Sequence, residues 1–234
     1  DSEAFYGAPP FHFAIMFLSM DELIQNLQDV GVLHSPNIIT AFRAVDRKDF
    51  VPKEMKGHAY LDQALPIGMG QTISQPYTVA FMLELLAPEA GSRVMDVGSG
   101  SGWQSALLAH AVGGQPAGEG KVYAFERIPE LCKFGAQNLA RYPALAKHVQ
   151  FFCGDASEGL PQQAKDAGGF DGIIAAAEVK EAPRAWREQL KIGGRLVYPQ
   201  EHAVVKEIKK GENEFEVKSF EGFIFVPFIR DGEI

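Results

Sequence analysis

The densest chemical signal in this chain is Val94-Met95-Asp96-Val97-Gly98-Ser99-Gly100-Ser101-Gly102-Trp103. An apolar run meets an acid, a Gly-x-Gly-x-Gly turn follows, and a helix-compatible stretch begins at Gln104. Glycines at such a turn allow positive φ and let a ligand approach the backbone at a helix N-terminus. A dinucleotide fingerprint would place its third glycine where Trp103 stands. Asp96 sets a negative charge beside the turn, which opposes a pyrophosphate and favours a cationic ligand. S-adenosyl-L-methionine carries a sulfonium and an ammonium, so the sign of the charge favours it over NAD. Asp96, Gly98, Ser99 and Gly100 are the first candidate cofactor residues.

Two further apolar runs end in acids. Tyr123-Ala124-Phe125-Glu126 offers a carboxylate that can accept two hydrogen bonds from a ribose diol, and Arg127 follows it. Cys153-Gly154-Asp155-Ala156 offers one that can accept from an adenine amino group. Any one of these acids alone is equally well read as a solvated residue at a strand–loop junction. All three, in order at strand ends, point to one crevice at the carboxyl edge of a sheet.

Such a crevice needs a scaffold, and the hydrophobic pattern supplies one. Short apolar runs at 93–97, 121–125, 149–153, 170–175 and 195–198 predict strands. Helix-compatible stretches at 104–112, 129–142, 158–167 and 181–190 lie between them. Strands alternating with helices predict right-handed crossovers and a mostly parallel, doubly wound α/β sheet of Rossmann-like form. Upstream, 20–31, 36–45 and 77–86 predict a helical N-terminal cap, with 60–76 irregular. Downstream, 203–209, 215–220 and 222–228 have no helices between them and predict antiparallel edge strands. The expected organisation is one domain: an extension at 1–19, a cap at 20–90, a cofactor-binding core at 91–200 and C-terminal strands at 201–234. Met20 reads as a natural start, and the glycine-rich 113–120 as a surface loop.

Composition narrows the function classes. The chain has 234 residues, 46% of them hydrophobic and 22% charged, which is ordinary globular usage and enough for a substantial core. Lys plus Arg is 22 against 30 for Asp plus Glu, so a net charge of −8 argues against a nucleic-acid partner. Two cysteines make no disulfide framework, and the six histidines show no metal-ligand spacing. No apolar stretch reaches the ~20 residues of a membrane helix, so no membrane partner is expected and the cytoplasm is the expected compartment.

Several blocks together resemble the protein-L-isoaspartate O-methyltransferases, within the class I S-adenosylmethionine-dependent methyltransferases. They are Asp49-Phe50-Val51-Pro52, then Ala59-Tyr60 with Asp62, and above all Leu65-Pro66-Ile67-Gly68-Met69-Gly70-Gln71-Thr72-Ile73-Ser74-Gln75-Pro76. Glu126-Arg127-Ile128-Pro129-Glu130-Leu131 and Leu190-Lys191-Ile192-Gly193-Gly194-Arg195-Leu196-Val197 extend the likeness from Met20 to the C-terminus. The resemblance implies Ser74 as the active-site residue, with Thr72, Ile73 and Ser74 itself near the cofactor. It also implies that Gly98 and Ser99 meet the methionine portion, Glu126 the ribose and Asp155 the adenine. Gly100, Arg127, Gly154 and Ala156 stand beside them. Read on its own, Gln71 to Pro76 is also a turn into a helix capped by Ser74.

The implied reaction methylates the α-carboxylate of L-isoaspartyl, and also D-aspartyl, residues in damaged proteins and peptides, with S-adenosyl-L-homocysteine as the other product. The ester then closes to a succinimide, which allows repair. Such a carboxylate is ionised at pH 7, so no strong general base is needed. A monomer is the expected working form. One block departs from the family pattern: after Ile174 comes Ala175-Ala176-Ala177-Glu178-Val179-Lys180, where a threonine, small residues and a proline are usual. That departure keeps open a methyltransferase acting on aspartate in a dedicated peptide. An NAD-dependent oxidoreductase and a non-catalytic cofactor-binding protein are its rivals from different functional classes.

Overall fold

The structure is a computed structural model that describes residues 16–114 and 119–230. Most of the expected N-terminal extension and positions 115–118 of the expected surface loop lie outside the described residues. Helix α1 (Met20–Asp29) buries Met20, Leu23, Ile24 and Leu27, the three-to-four spacing of one helical face. Ser19 caps it, its hydroxyl accepting from the Glu22 N–H at 3.2 Å. Helix α2 (Pro36–Ala44) starts on a proline preset for the first turn. Two 3-10 turns follow, Arg47–Phe50 and Lys53–His58.

The region expected to be irregular contains a hairpin, β1 (Leu65–Gly68) paired antiparallel with β2 (Gln71–Ile73). Gly68, Met69 and Gly70 turn it with φ of 95°, 53° and 70°. Helix α3 (Pro76–Leu86) comes next. Its cap position is Gln75, which makes no side-chain capping bond, so the expectation of a Ser74 cap is corrected. The Tyr77 N–H of the first turn donates instead to Asp62 Oδ1 at 2.8 Å.

The predicted alternation then unfolds: β3 (Arg93–Val97), α4 (Trp103–Val112), β4 (Lys121–Glu126), α5 (Pro129–Leu139), α6 (Pro143–Ala146), β5 (Val149–Cys153), α7 (Pro161–Ala167), β6 (Phe170–Ala175), α8 (Arg184–Glu188), β7 (Leu190–Gln200), β8 (Ala203–Lys209) and β9 (Phe215–Glu221). Seven strands form one sheet in the order β5-β4-β3-β6-β7-β8-β9. The pairs from β5 to β7 are parallel, while β7–β8 and β8–β9 are antiparallel. The mostly parallel sheet with an antiparallel C-terminal edge is therefore as expected.

Side chains alternate across the sheet. Val94, Val122, Ile174 and Val197 pack into one core with α1 to α4. Met95, Val97, Tyr123, Ile173 and Leu196 pack into the other, with Trp186 of α8. A sheet apolar on both faces has to be covered on both, which is why the helices divide between them. Among the described residues no helix is long and apolar enough to cross a membrane.

Several boundaries differ from expectation for local reasons. The stretch predicted as helix at 129–142 breaks before Pro143, since the residue preceding a proline is pushed out of the helical region. The helix predicted at 158–167 starts at Pro161. The one predicted at 181–190 shrinks to α8, and β7 takes the residues from Leu190. Residues 222–228 are not a third edge strand: Gly222 turns at φ 97° and the chain leaves the sheet. Phe223 then stacks on Phe81, and Pro227 makes an isolated parallel bridge with Glu178.

The two cysteines are bonded to each other, Cys132 of α5 with Cys153 at the end of β5. Their Cα atoms are 6.0 Å apart and 21 positions separate them in sequence. A crosslink over a loop of that size stabilises by about 3 kcal/mol, chiefly by restricting the unfolded chain. Reduction is therefore expected to lower the thermal midpoint by roughly 6–12 °C, to the value of Cys132→Ser. Melting curves with and without reductant check this, and coincident curves would count against the crosslink.

Candidate active site

The sheet order reverses at β3, because its chain continues through α4 to β4 on one side while β6 lies on the other. Loops leaving such a switch point diverge and open a crevice at the carboxyl ends of the strands. A pocket occupies that place. Gly98 to Ser101 after β3, Glu126 to Ile128 around the end of β4, Gly154 to Ala156 after β5 and Ala176–Ala177 after β6 line it. Its far wall is the β1–β2 hairpin with Ser74, and the tail from Val226 to Ile229 closes the rim.

The glycine turn is held from below. The Gly98 and Ser99 N–H groups both donate to Phe125 O, at 2.9 and 2.8 Å, and the Ala176 N–H donates to Val97 O at 2.9 Å. Gly102 has φ 83°, and a Cβ there would sit 2.9 Å from Gly135 O on α5, so both conformation and space demand glycine. On the opposite side, Ala176 and Ala177 are packed 3.9 Å from where a Gly98 Cβ would project. Small residues after β6 thus let that loop close on the turn.

Glu126 joins two of these loops. It is buried, and its two oxygens accept from the Gly100 N–H and the Ile128 N–H, each at 2.9 Å. A carboxylate offers about four lone-pair sites, so two remain for a ligand. Asp155 Oδ1 accepts from the Ser157 N–H at 2.7 Å. Ser99 is buried, and among the described residues its hydroxyl is one of two buried side-chain polar atoms without a hydrogen-bond partner. A buried hydroxyl left unpaired at a pocket wall fits a site built for a polar ligand. Two lone pairs at Glu126, a carboxylate at Asp155 and a free donor at Ser99 suit the ribose, adenine and aminoacid ends of S-adenosyl-L-methionine.

Thr72, Ile73, Ser74, Gly98, Ser99, Gly100, Glu126, Arg127, Gly154, Asp155 and Ala156 all line this one pocket. Asp96 does not, and its expected direct contact with a cationic ligand is corrected. Its place along the strand explains it: Asp96 stands one residue before β3 ends, on the face that α4 covers, and its carboxylate lies under that helix. Its carboxylate is fully buried and accepts from Gln104 Nε2 at 2.7 Å and Ser105 Oγ at 2.5 Å. Burial pushes its pKa up to about 6, against the pull of those two hydrogen bonds.

Reading from sequence alone passed over the tail at 226–229, Ile67 and Gln71 of the hairpin, and Arg47. Pro227 was a usable signal, since a proline argues against a ladder strand. Arg47 had none, because one arginine in a charged turn looks like any other.

Asp96 gives this site a pH signature. Between about pH 4 and 6 the unfolded chain has lost the proton that the folded chain still holds, so the ionised form costs the folded state stability as pH rises. Asp96→Asn lacks that cost. Its stability relative to the parent is expected to improve by about 2–3 kcal/mol from pH 4 to pH 8. Urea unfolding at both pH values measures this, and a pH-independent difference would contradict the assignment.

The family model described as Protein-L-isoaspartate(D-aspartate) O-methyltransferase matches residues 18–233. A protein-L-isoaspartate O-methyltransferase of Staphylothermus marinus is 39% identical over 212 residues, covering 88% of this chain and 92% of that one. One from Flavobacterium psychrophilum is 41% identical over 214 residues, covering 90% and 94%. A Plasmodium falciparum structure described as a protein-L-isoaspartate O-methyltransferase, in complex with S-adenosyl-L-homocysteine, superposes with a TM-score of 0.81 at 25% identity over 91% of this chain and 99% of that one. On the family match and the 39–41% identity of these relatives, this chain belongs to the protein-L-isoaspartate(D-aspartate) O-methyltransferase family.

Proposed function

We propose that the pocket at the carboxyl edge of the sheet is where this enzyme performs its family's reaction, with Ser74 orienting the acceptor. The reaction moves a methyl group from S-adenosyl-L-methionine to the α-carboxylate of an L-isoaspartyl residue in a protein or peptide. A methyl ester and S-adenosyl-L-homocysteine are the products; D-aspartyl acceptors are included in the reading. The observation that carries it is the position of Thr72 to Ser74, which face the glycine turn across one pocket whose other walls are the loops after β3, β4, β5 and β6.

Bound S-adenosyl-L-methionine supplies a methyl group made electrophilic by its sulfonium. Glu126 accepts from the ribose diol with the lone pairs its backbone partners leave free, and Asp155 accepts from the adenine amino group. The Ser99 hydroxyl, left without a protein partner among the described residues, donates to the methionine end. Gly100, Arg127, Gly154 and Ala156 shape the walls around them. Asp96 acts indirectly, by anchoring Gln104 and Ser105 behind the turn. The acceptor carboxylate is ionised at neutral pH, so no general base has to take a proton. Ser74 donates one hydrogen bond to it, leaving the other oxygen to attack in line, and the hairpin and tail exclude water. Charge is neutralised as the methyl moves, and a dry pocket favours that collapse.

The altered loop after β6 bears on the acceptor less than its sequence suggested. Ala176 and Ala177 reach the pocket, while Glu178 and Lys180 do not line it. The Glu178 backbone is spent on the tail, donating to Val226 O at 2.8 Å and accepting from the Phe228 N–H at 2.7 Å. The pocket is complete within one chain, which supports a monomer as the working unit. A cytoplasmic setting rests on composition and hydropathy and runs against the Cys132–Cys153 bond, since disulfides persist in oxidising compartments.

Labelled methyl transfer to paired peptides differing only in an isoaspartyl or aspartyl linkage tests the reading, with turnover expected on the isoaspartyl member alone. Label on the aspartyl peptide would favour a dedicated-peptide modifier. Ser74→Ala is expected to lower turnover roughly 10- to 150-fold, the worth of one hydrogen bond to a charged group, with cofactor affinity nearly intact. Its thermal midpoint should hold, because Gln75 and not Ser74 occupies the cap position. A variant with full turnover would strip Ser74 of its role.

A further inference from the structure

We propose that Arg47 is a positioning residue for methyl transfer, its guanidinium fixing the Ser74 segment against the wall of the cofactor pocket. The inference rests on the role given to Ser74 above. Arg47 is fully buried on the 3-10 turn Arg47–Phe50 and does not line the pocket. Its Nη1 donates to Ala59 O at 2.8 Å and Leu61 O at 3.2 Å. Its Nη2 donates to Gln63 O at 2.9 Å and Ser74 O at 3.0 Å. The guanidinium carbon also lies 5.4 Å from the centroid of the Trp103 ring.

Those contacts join two walls of the pocket. Ser74 belongs to the acceptor side, and Trp103 opens α4 directly after the glycine turn. Trp103 Nε1 in turn donates to Val45 O at 3.4 Å, just before Arg47 in the chain. One rigid fork therefore sets the distance between the Ser74 hydroxyl and the turn that would cradle the methyl donor. A lysine could not do the same, since an ammonium is a point charge without the planar pair of donors.

The arrangement is costly, which argues that it serves geometry rather than stability. Four of its acceptors are neutral carbonyls, and Arg47 Nε has no partner. Burial lowers the arginine pKa to about 9, with Asp62 pulling it back only in part. Asp62 is itself engaged by the Tyr77 N–H and Gln75 Nε2. A well-packed apolar side chain of similar volume is often as stabilising as a buried charge. What it cannot do is hold the Ser74 carbonyl in register with Trp103.

A double-mutant cycle with Ser74→Ala tests this. Arg47→Lys should lower kcat by roughly 10- to 100-fold, the effect of a sub-ångström to ångström misplacement, while cofactor affinity and acceptor KM stay within about threefold. In the Ser74→Ala background the same substitution should change kcat little, because the group it positions is gone. Equal losses in both backgrounds, or a lower thermal midpoint with unchanged kcat, would overturn the proposal and leave Arg47 a structural residue. Arg47→Met, which leaves no buried charge, is the second variant should Arg47→Lys not fold. If neither folds, Arg47 is needed for folding and the proposal falls. Full turnover of Ser74→Ala alone would be a different failure, that of the Ser74 reading, and is read from the single variant.

Discussion

The pocket depends on the carboxylate of Glu126. It ends β4, and its two oxygens take the N–H of Gly100 from the loop after β3 and of Ile128 from the loop leading into α5. Without that acceptor, two part-buried backbone donors would need other partners. With it, two loops of different strands share one anchor at a residue that itself lines the cavity. The Gly154 N–H adds the third strand end by donating to Glu126 O at 2.9 Å. Side chain and backbone of one residue thus tie together the edges of β3, β4 and β5.

Around that anchor the molecule tolerates charges that a core built for stability alone would avoid. Asp96 is fully buried behind the glycine turn, and Arg47 fully buried behind Ser74. Arg47 lies over the ring of Trp103, a fully buried tryptophan that is itself part of the pocket wall. Ser99 leaves a buried hydroxyl unpaired. Departures from satisfied, apolar packing gather at functional sites in natural proteins, and Asp96, Arg47 and Ser99 are three of them at one pocket and its backing. By contrast, the buried acid remote from the pocket, Glu207, is fully matched, accepting from Arg187 Nε, Arg187 Nη2 and the Tyr198 hydroxyl.

Much of this was legible in the sequence because it is local. A strand apolar on both faces reads as an unbroken run, and glycines after it read as a turn, so the parallel sheet and the acids at its edge could be placed. What escaped depends on distant partners. Asp96 and Glu126 look alike in sequence, both acids at the end of an apolar run. Both lie on one face of the sheet, since Asp96 pairs with Ala124 two residues before Glu126; Asp96 stops short of the strand end under α4, while Glu126 stands one step past the level of Val97, beside the turn. The Cys132–Cys153 bond forms because α5 packs back along β5, and no spacing rule encodes that. Arg47 finds its carbonyls 12 to 27 positions downstream. The tail at 222–228 looked like a strand by composition, yet Gly222 and Pro227 divert it to the loop after β6 and so to the rim of the pocket.

The central claim is that the Glu126 carboxylate divides its lone pairs between the backbone of two loops and the ribose of the cofactor. Calorimetric titration of S-adenosyl-L-homocysteine into the parent and into folded Glu126→Gln tests it most directly. An amide offers one acceptor oxygen in place of two charged ones, so the variant should bind roughly 10- to 150-fold more weakly. Equal affinity in parent and variant would remove Glu126 from the ribose site and contradict the account.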